Sequence, residues 1–155
     1  MSDPLVFMMG KFEATIPTDR LYAKNHTWAM PLEGEAAETY RFGFSAYAVR
    51  LLQDVYFLEW HQEAPVAVRE GQEIGFIESS KAESDLFAPL AGQLTKFNPG
   101  LMDDPSRINL NMYGDGWLYE IEAAGSSLLD PAAYVAHLES VWEVTQRTIK
   151  GQLNE

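Results

Sequence analysis

The clearest indication of the fold is IGFIESSKAESDLFAP, residues 74–89. It contains two short strand candidates, Ile74–Ser79 and Ser84–Pro89, with only a few residues between them. Two strands this close in sequence predict a β-hairpin with a tight turn. The only lysine of the stretch, Lys81, falls at the tip of that turn. We therefore expect its side chain to project into solvent.

Further short strands are expected on both sides of the hairpin. They are rich in aromatic and β-branched residues or bracketed by Gly and Pro, and they fall at Tyr40–Phe44, Val55–Trp60, residues 92–97 and Trp117–Glu122. Residues 45–54 place apolar side chains at helical spacing, which predicts a short internal helix. Asn98–Gly100 predicts a turn. Many short strands broken in this way are typical of a small barrel or sandwich, so a mostly β fold is expected.

The C-terminal segment differs because its apolar residues recur on one helical face. Asp130 is a good N-cap and Pro131 suits the first helical position. The apolar stripe continues until Gly151 and includes Thr145 and Ile149. We expect a helix of roughly five turns. Its stripe either packs on the β domain or binds a partner protein.

Composition and charge exclude several classes of protein. The chain has 155 residues, of which 46% are hydrophobic, enough for one domain with a substantial core. Eleven basic residues against 23 acidic ones give a net charge of -12, which repels nucleic acid and anionic membranes and favours a positively charged protein partner. The N-terminus lacks the pattern of a signal peptide and no apolar run is long enough to span a bilayer. We expect a cytoplasmic monomer.

The chain contains no cysteine. Disulfides, thiolate metal sites and cysteine nucleophiles are therefore excluded, and any sulfur chemistry must come from a cofactor. The three histidines, His26, His61 and His137, are far apart and lack the spacing of metal ligands. We expect no metal site.

The residues around Lys81 form a pattern with a known counterpart. Their order is G-x6-E-x2-KA-x-SD-x3-P-x2-G, formed by Gly71, Glu78, Lys81, Ala82, Ser84, Asp85, Pro89 and Gly92. This pattern resembles the lipoyl-attachment site of the glycine cleavage H proteins. Biotin acceptors use a similar fold but place the lysine between methionines, whereas Ser80 and Ala82 flank it here.

The resemblance extends over about residues 21–140. The segments that carry it are KNHTWA at Lys24–Ala29, GFSAYAVRLLQDVYFLEW at Gly43–Trp60, residues 98–122 and LLDPAAY at Leu128–Tyr134. It implies a barrel-sandwich hybrid of the lipoyl-domain type, with a short internal helix and a C-terminal helix. The organisation expected is an N-terminal arm at residues 1–20, a lipoyl-carrier domain at 21–129 and a helix at 130–155 packed on it.

The resemblance also implies a cofactor and a set of site residues. Lipoic acid would be bound as an amide to Lys81 by a lipoate-protein ligase or a lipoyl transferase. The supporting residues implied are Glu78 and Asp85, which flank the arm, and His26 and Thr27, which line its resting cleft. Two tryptophans, Trp28 and Trp117, are expected to pack beneath the site, more as core residues than as site residues.

One departure from the family pattern concerns the chemical group that the lipoyl arm would carry. The family has a glutamate in its HEW segment, which lines the cleft for the amine of a loaded arm; here that position is Thr27. A lost charge-assisted hydrogen bond is worth on the order of 1.5–3 kcal/mol. The chain also resembles the H-like lipoate-binding proteins of sulfur oxidation, whose sulfur intermediates need no such carboxylate. We therefore favour a carrier of sulfur intermediates that serves a heterodisulfide-reductase-like complex, as that resemblance implies. The alternative is the aminomethyl carrier of the glycine cleavage system, with the partner enzymes of that system.

Two other classes compete with a carrier. An enzyme could use Lys81 as a nucleophile, but such a lysine is usually desolvated, whereas Lys81 is expected on a polar tip among carboxylates. An unmodified adaptor protein requires that Lys81 stay free of any adduct. We therefore expect a non-catalytic carrier protein with a covalent cofactor.

Overall fold

The structure is a computed structural model that describes residues 3–34 and 38–153, with side chains to Val144. In chain order its elements are β1 (Leu5–Met9), β2 (Phe12–Ile16), β3 (Leu21–Tyr22), β4 (Thr27–Pro31), β5 (Thr39–Phe44), α1 (Ala46–Leu52), β6 (Val55–Trp60), β7 (Val66–Val68), β8 (Glu73–Ser79), β9 (Glu83–Phe87), β10 (Gly92–Phe97), α2 (Gly100–Asp103), α3 (Arg107–Leu110), β11 (Tyr119–Glu122) and α4 (Pro131–Leu153). The mostly β fold with a short internal helix and a C-terminal helix is confirmed. No described helix has the length and apolar character needed to cross a membrane.

Two antiparallel sheets enclose the main core. One has six strands in the order β3-β4-β5-β11-β10-β7, and the other has three in the order β6-β8-β9. Side chains from both sheets meet in one buried cluster, which includes Phe42, Leu58, Ile77, Leu94 and Ile121. The three-stranded sheet contains the predicted hairpin, β8 and β9, with Lys81 in the turn between them. The rigid core thus fixes the base of that hairpin.

A second buried cluster joins the N-terminal hairpin, β1 and β2, to the helices and to β4. Its members include Phe7, Trp28, Tyr47, Tyr134 and Leu138. The ring of Tyr134, in α4, stacks on Tyr22 of β3 with 4.6 Å between centroids. Asp130 accepts a hydrogen bond from the backbone N–H of Ala133 at 2.7 Å, so the predicted N-cap of α4 is confirmed. The side chains of Thr145 and Ile149 lie outside the described residues.

Trp28 also explains why Gly43 has no side chain. A Cβ at Gly43, which pairs with Trp28 across β4 and β5, would lie 2.5 Å from Cζ2 of the indole. The ring therefore lies flat over the backbone of the neighbouring strand.

Three segments differ from what the sequence predicted. Within the predicted N-terminal arm, Leu5–Ile16 forms two paired strands. The turn at Asn98–Gly100 continues into two one-turn helices, α2 and α3. The last strand begins at Tyr119 rather than at Trp117.

Candidate functional site

The turn that presents Lys81 is organised by Ser79, the last residue of β8. Its buried hydroxyl donates to the carbonyl of Ala82 at 3.1 Å and accepts from the Ala82 N–H at 3.1 Å and the Lys81 N–H at 3.4 Å. The Ser79 N–H also donates to the Ala82 carbonyl at 2.8 Å. Lys81 itself is exposed. The backbone beneath the lysine is therefore held in place while its side chain is free to react.

A second set of hydrogen bonds ties the turn to the connection between α1 and β6. The Ser80 N–H donates to the carbonyl of Asp54 at 2.8 Å, and the Asp54 N–H donates to the hydroxyl of Ser80 at 3.1 Å. Asn109, in α3, supports the same connection because its Oδ1 accepts from the Val55 N–H at 2.9 Å. These anchors join segments that are far apart in the chain, so no local sequence pattern indicates them.

Carboxylates surround the turn on the outward face of the three-stranded sheet. Glu78 lies directly opposite Glu83 across β8 and β9, and Asp85 lies opposite Phe76. Glu83 and Asp85 are exposed, and Glu78 is half-buried. Lys81 forms no ion pair within the part of the chain that the structure describes. An exposed amine on a fixed turn, unpaired by these carboxylates, fits the attachment of an acyl group.

Thr27, the first residue of β4, lies near the end of β9 that is farther from Lys81. Its hydroxyl donates to Oδ1 of Asn25 at 2.7 Å, and Nδ2 of Asn25 donates to the carbonyl of Phe87 at 3.1 Å. Thr27 is thereby linked to the strand that carries Asp85. A cavity of about 350 Å³ opens beside this link, and the residues that line it include Lys24, Asn25, Glu70, Phe87, Pro89 and Leu128.

His26 makes its side-chain contacts elsewhere. Its backbone has a positive φ of 68°, and its Nδ1 lies 3.1 Å from the hydroxyl of Tyr134 in α4. Its ring lies 4.7 Å from that of Tyr47 and 5.8 Å from that of His137, measured between centroids. Burial, and secondarily the charge of His137, lowers the pKa of His26 to about 4. These contacts place its imidazole between α1 and α4, whereas Thr27 is linked to the hairpin.

The two tryptophans are core residues. Trp28 is buried, and its Nε1 donates to the carbonyl of Met112 at 2.9 Å. Trp117 is also buried, and the guanidinium of Arg41 lies 4.2 Å from its ring centroid. Among the described residues, no group of three or more His, Asp or Glu side chains is placed to hold a metal ion.

Known proteins are similar to this chain in both sequence and fold. The family model described as "Glycine cleavage H-protein" matches residues 20–145. The chain belongs to the glycine cleavage H-protein family. The glycine cleavage system H protein of Myxococcus xanthus is 39% identical over 129 residues, covering 81% of this chain and 96% of that protein. The protein of the same name from Salmonella arizonae is 37% identical over 130 residues, covering 81% and 98%.

The solved structures agree with this assignment. The crystal structure of a glycine cleavage system H protein from Mycobacterium marinum matches with a TM-score of 0.67 and 36% identity, and it covers 78% of this chain and 97% of that chain. The predicted barrel-sandwich hybrid fold of the lipoyl-domain type is confirmed.

Membership of the family decides between the classes of protein considered from the sequence. Glycine cleavage H proteins are non-catalytic carriers with a lipoyl group on a lysine, so the chain is a carrier and not an enzyme. The relatives favour the glycine-cleavage alternative over the sulfur-intermediate carrier that Thr27 had led us to prefer. A heterodisulfide-reductase-like partner complex has no support among these findings.

Proposed function

We propose that Lys81 is the lipoyl-attachment residue and that the chain carries the aminomethyl group between the partner enzymes of the glycine cleavage system. The observation that carries this proposal is the turn between β8 and β9, in which Ser79 and Ser80 fix the backbone and leave the amine of Lys81 exposed. Membership of the H-protein family supports it.

The chain contributes an amine, a rigid base and a suitable electrostatic environment. For attachment, Nζ of Lys81 loses a proton and the neutral amine attacks the carbonyl carbon of an activated lipoyl group. A C–N amide bond forms, the nitrogen loses a second proton, the bond to the activating group breaks and that group leaves, so the positive charge disappears. The bound lipoyl group supplies disulfide and dithiol chemistry. Because the chain has no cysteine, no protein thiol competes in that exchange. Tethering also gives each transfer a high effective concentration.

Glu78 and Asp85 flank the base of the arm in this proposal, and the cleft in which the arm rests lies beside the buried Thr27. The enzyme that attaches the cofactor is a lipoate-protein ligase or a lipoyl transferase. A net charge of -12 opposes self-association, which supports a monomer. We also propose that the protein acts in the cytoplasm.

One observation favours a second candidate function. Thr27 is buried and neutral, and its hydroxyl is engaged by Asn25, so this position offers no carboxylate to a cationic amine. A sulfur intermediate needs no such partner. The second candidate is therefore a carrier of sulfur on the same lipoyl arm, as in sulfur oxidation.

Reconstitution with the purified partner enzymes of glycine cleavage separates the two functions. The lipoylated protein is compared with an authentic H protein, and the Lys81→Arg variant serves as the control that cannot be lipoylated. We expect glycine decarboxylation within about tenfold of the authentic protein and none with Lys81→Arg. A fully lipoylated protein that fails to support decarboxylation would contradict the glycine function and leave the sulfur carrier.

A further inference from the structure

An irregularity in β6 places two exposed aromatic side chains beside the lysine turn. Val55 pairs with Ser79 and Phe57 pairs with Glu78, so Tyr56 is an extra residue in β6 and forms a β-bulge. A bulge changes the direction of side chains, and bulges are frequent next to functional sites. Here Tyr56 is 60% exposed and Phe57 is 40% exposed, whereas their neighbours Val55 and Leu58 are buried.

Contacts within the sheet hold one of these rings in place. The ring of Phe57 meets that of Phe76 edge-on, with 6.4 Å between centroids. Phe57, Glu78 and Glu83 form one row, and it is the last row before the turn that includes all three strands. Tyr56 and Phe57, which we call the aromatic pair, therefore lie at the same end of the sheet as Lys81.

The surroundings of the aromatic pair are acidic. Exposed or half-buried carboxylates lie in the row of Phe57, in the next row on the same face of the sheet and in the connection that anchors the turn, namely Asp54, Glu59, Glu78, Glu83 and Asp85. A second copy of the chain, with its net charge of -12, is repelled by this surface. A protein with a basic rim and an apolar recess is complementary to it.

The short side chain of lysine determines which kind of enzyme must contact this surface. An enzyme that acylates Nζ must bring its reacting carbonyl to the end of a short side chain, so its surface must contact the protein around the turn. Enzymes that act on the loaded arm meet sulfur atoms at the end of a much longer chain. The enzyme of the attachment step therefore needs close contact with the protein surface around the turn, where Tyr56 and Phe57 lie.

We propose that the aromatic pair is a docking surface for the enzyme that attaches lipoate, which binds it through an apolar recess surrounded by basic residues. This inference rests on the proposed attachment of the lipoyl group to Lys81. Buried aromatic side chains at the centre of an interface commonly dominate its binding energy.

The test measures the kinetics of lipoylation of the unmodified protein by a lipoate-protein ligase with lipoate and ATP, followed by intact mass. The variant is the double substitution Tyr56→Ser with Phe57→Ser. The matched control is Val6→Ser with Met8→Ser, two apolar side chains on β1 that are 48% and 47% exposed. We expect kcat/KM to fall by roughly tenfold or more in the variant, mainly through KM, and to stay within about twofold in the control. Tyr56→Phe alone, which keeps the ring, should retain most of the wild-type value.

A binding measurement keeps the proposal testable without turnover. Lys81→Ala protein should inhibit lipoylation of the wild type competitively, and the same variant without the aromatic pair should not. Equal lipoylation kinetics for the folded double variant and the control would overturn the docking surface. Absence of any adduct on wild-type Lys81 would instead overturn the proposed function. If only the reactions of the loaded protein are slowed, the surface binds a later partner and the proposal is wrong.

Discussion

Replacing Ser79 by alanine tests whether its hydroxyl holds the lysine turn. The change removes two hydrogen bonds of 3.1 Å to Ala82 and one of 3.4 Å to Lys81. A typical intramolecular hydrogen bond contributes about 1 kcal/mol net, and water can replace the partner of an exposed N–H. Since the turn is exposed and the third bond is long, we expect a loss of about 1–2 kcal/mol in the free energy of unfolding.

Urea unfolding measures this loss directly. With a slope of about 2 kcal/mol per molar urea, the midpoint should fall by roughly 0.5–1 M. Hydrogen exchange provides a local readout, because the amides of Lys81 and Ala82 lose their acceptor and should exchange faster. Lipoylation of Lys81 should also slow, since the turn no longer fixes its backbone.

Ser84→Ala is the matched control on the same hairpin. The hydroxyl of Ser84 makes one exposed hydrogen bond, to the carbonyl of Asp85 at 2.9 Å. Its removal should cost less than about 0.5 kcal/mol and leave exchange at Lys81 unchanged. Identical midpoints and exchange rates for Ser79→Ala and Ser84→Ala would refute the role assigned to Ser79.

Three further predictions concern the core and the charges. Burial holds the pKa of His26 at about 4, against an ordinary 6.5. As the pH falls, this histidine therefore takes up a proton in the unfolded chain before it does so in the folded chain, and the free energy of unfolding should fall by up to ~3 kcal/mol between pH 6.5 and pH 4. The variant His26→Asn, whose new side chain tolerates a positive φ, should show a weaker dependence of the free energy of unfolding on pH. An unchanged pH dependence would contradict the role assigned to His26. Gly43→Ala forces a Cβ against Trp28 and should lower the melting temperature by about 6 °C, from roughly 2 kcal/mol of strain; an unshifted melting temperature would show that the ring can move. Glu83→Gln relieves repulsion from Glu78 and should stabilise by about 0.2–1 kcal/mol, yet raise the KM for lipoylation and weaken its salt dependence; an unaltered KM would exclude Glu83 from recognition.

Local patterns were sufficient to predict the elements that position the site. The hairpin of β8 and β9, strand β6 and helix α1 lie where short-range spacing placed them, and Ser45 caps α1 with its hydroxyl 3.5 Å from the Ala48 N–H. Strand β1 was missed for a physical reason. Its sequence is apolar throughout, so the alternation between buried Phe7 and exposed Met8 leaves no trace in hydrophobicity.

The parts of the site that escaped prediction depend on long-range contacts. The bonds between Ser80 and Asp54 join residues 26 positions apart, and the contact of His26 with Tyr134 spans 108 positions. Neither contact can be inferred from local spacing in the sequence. The bulge at Tyr56 could have been suspected only from two consecutive large aromatic residues in a strand otherwise read as regular.

Site-resolved mass spectrometry of protein produced together with a lipoate-protein ligase tests whether Lys81 is the residue that carries the cofactor. We expect one lipoyl adduct per chain, on the peptide that contains Lys81, and none on Lys11, Lys24, Lys96 or Lys150. An adduct on any of those four lysines, or an unmodified Lys81 when the ligase and lipoate are in excess, would contradict it.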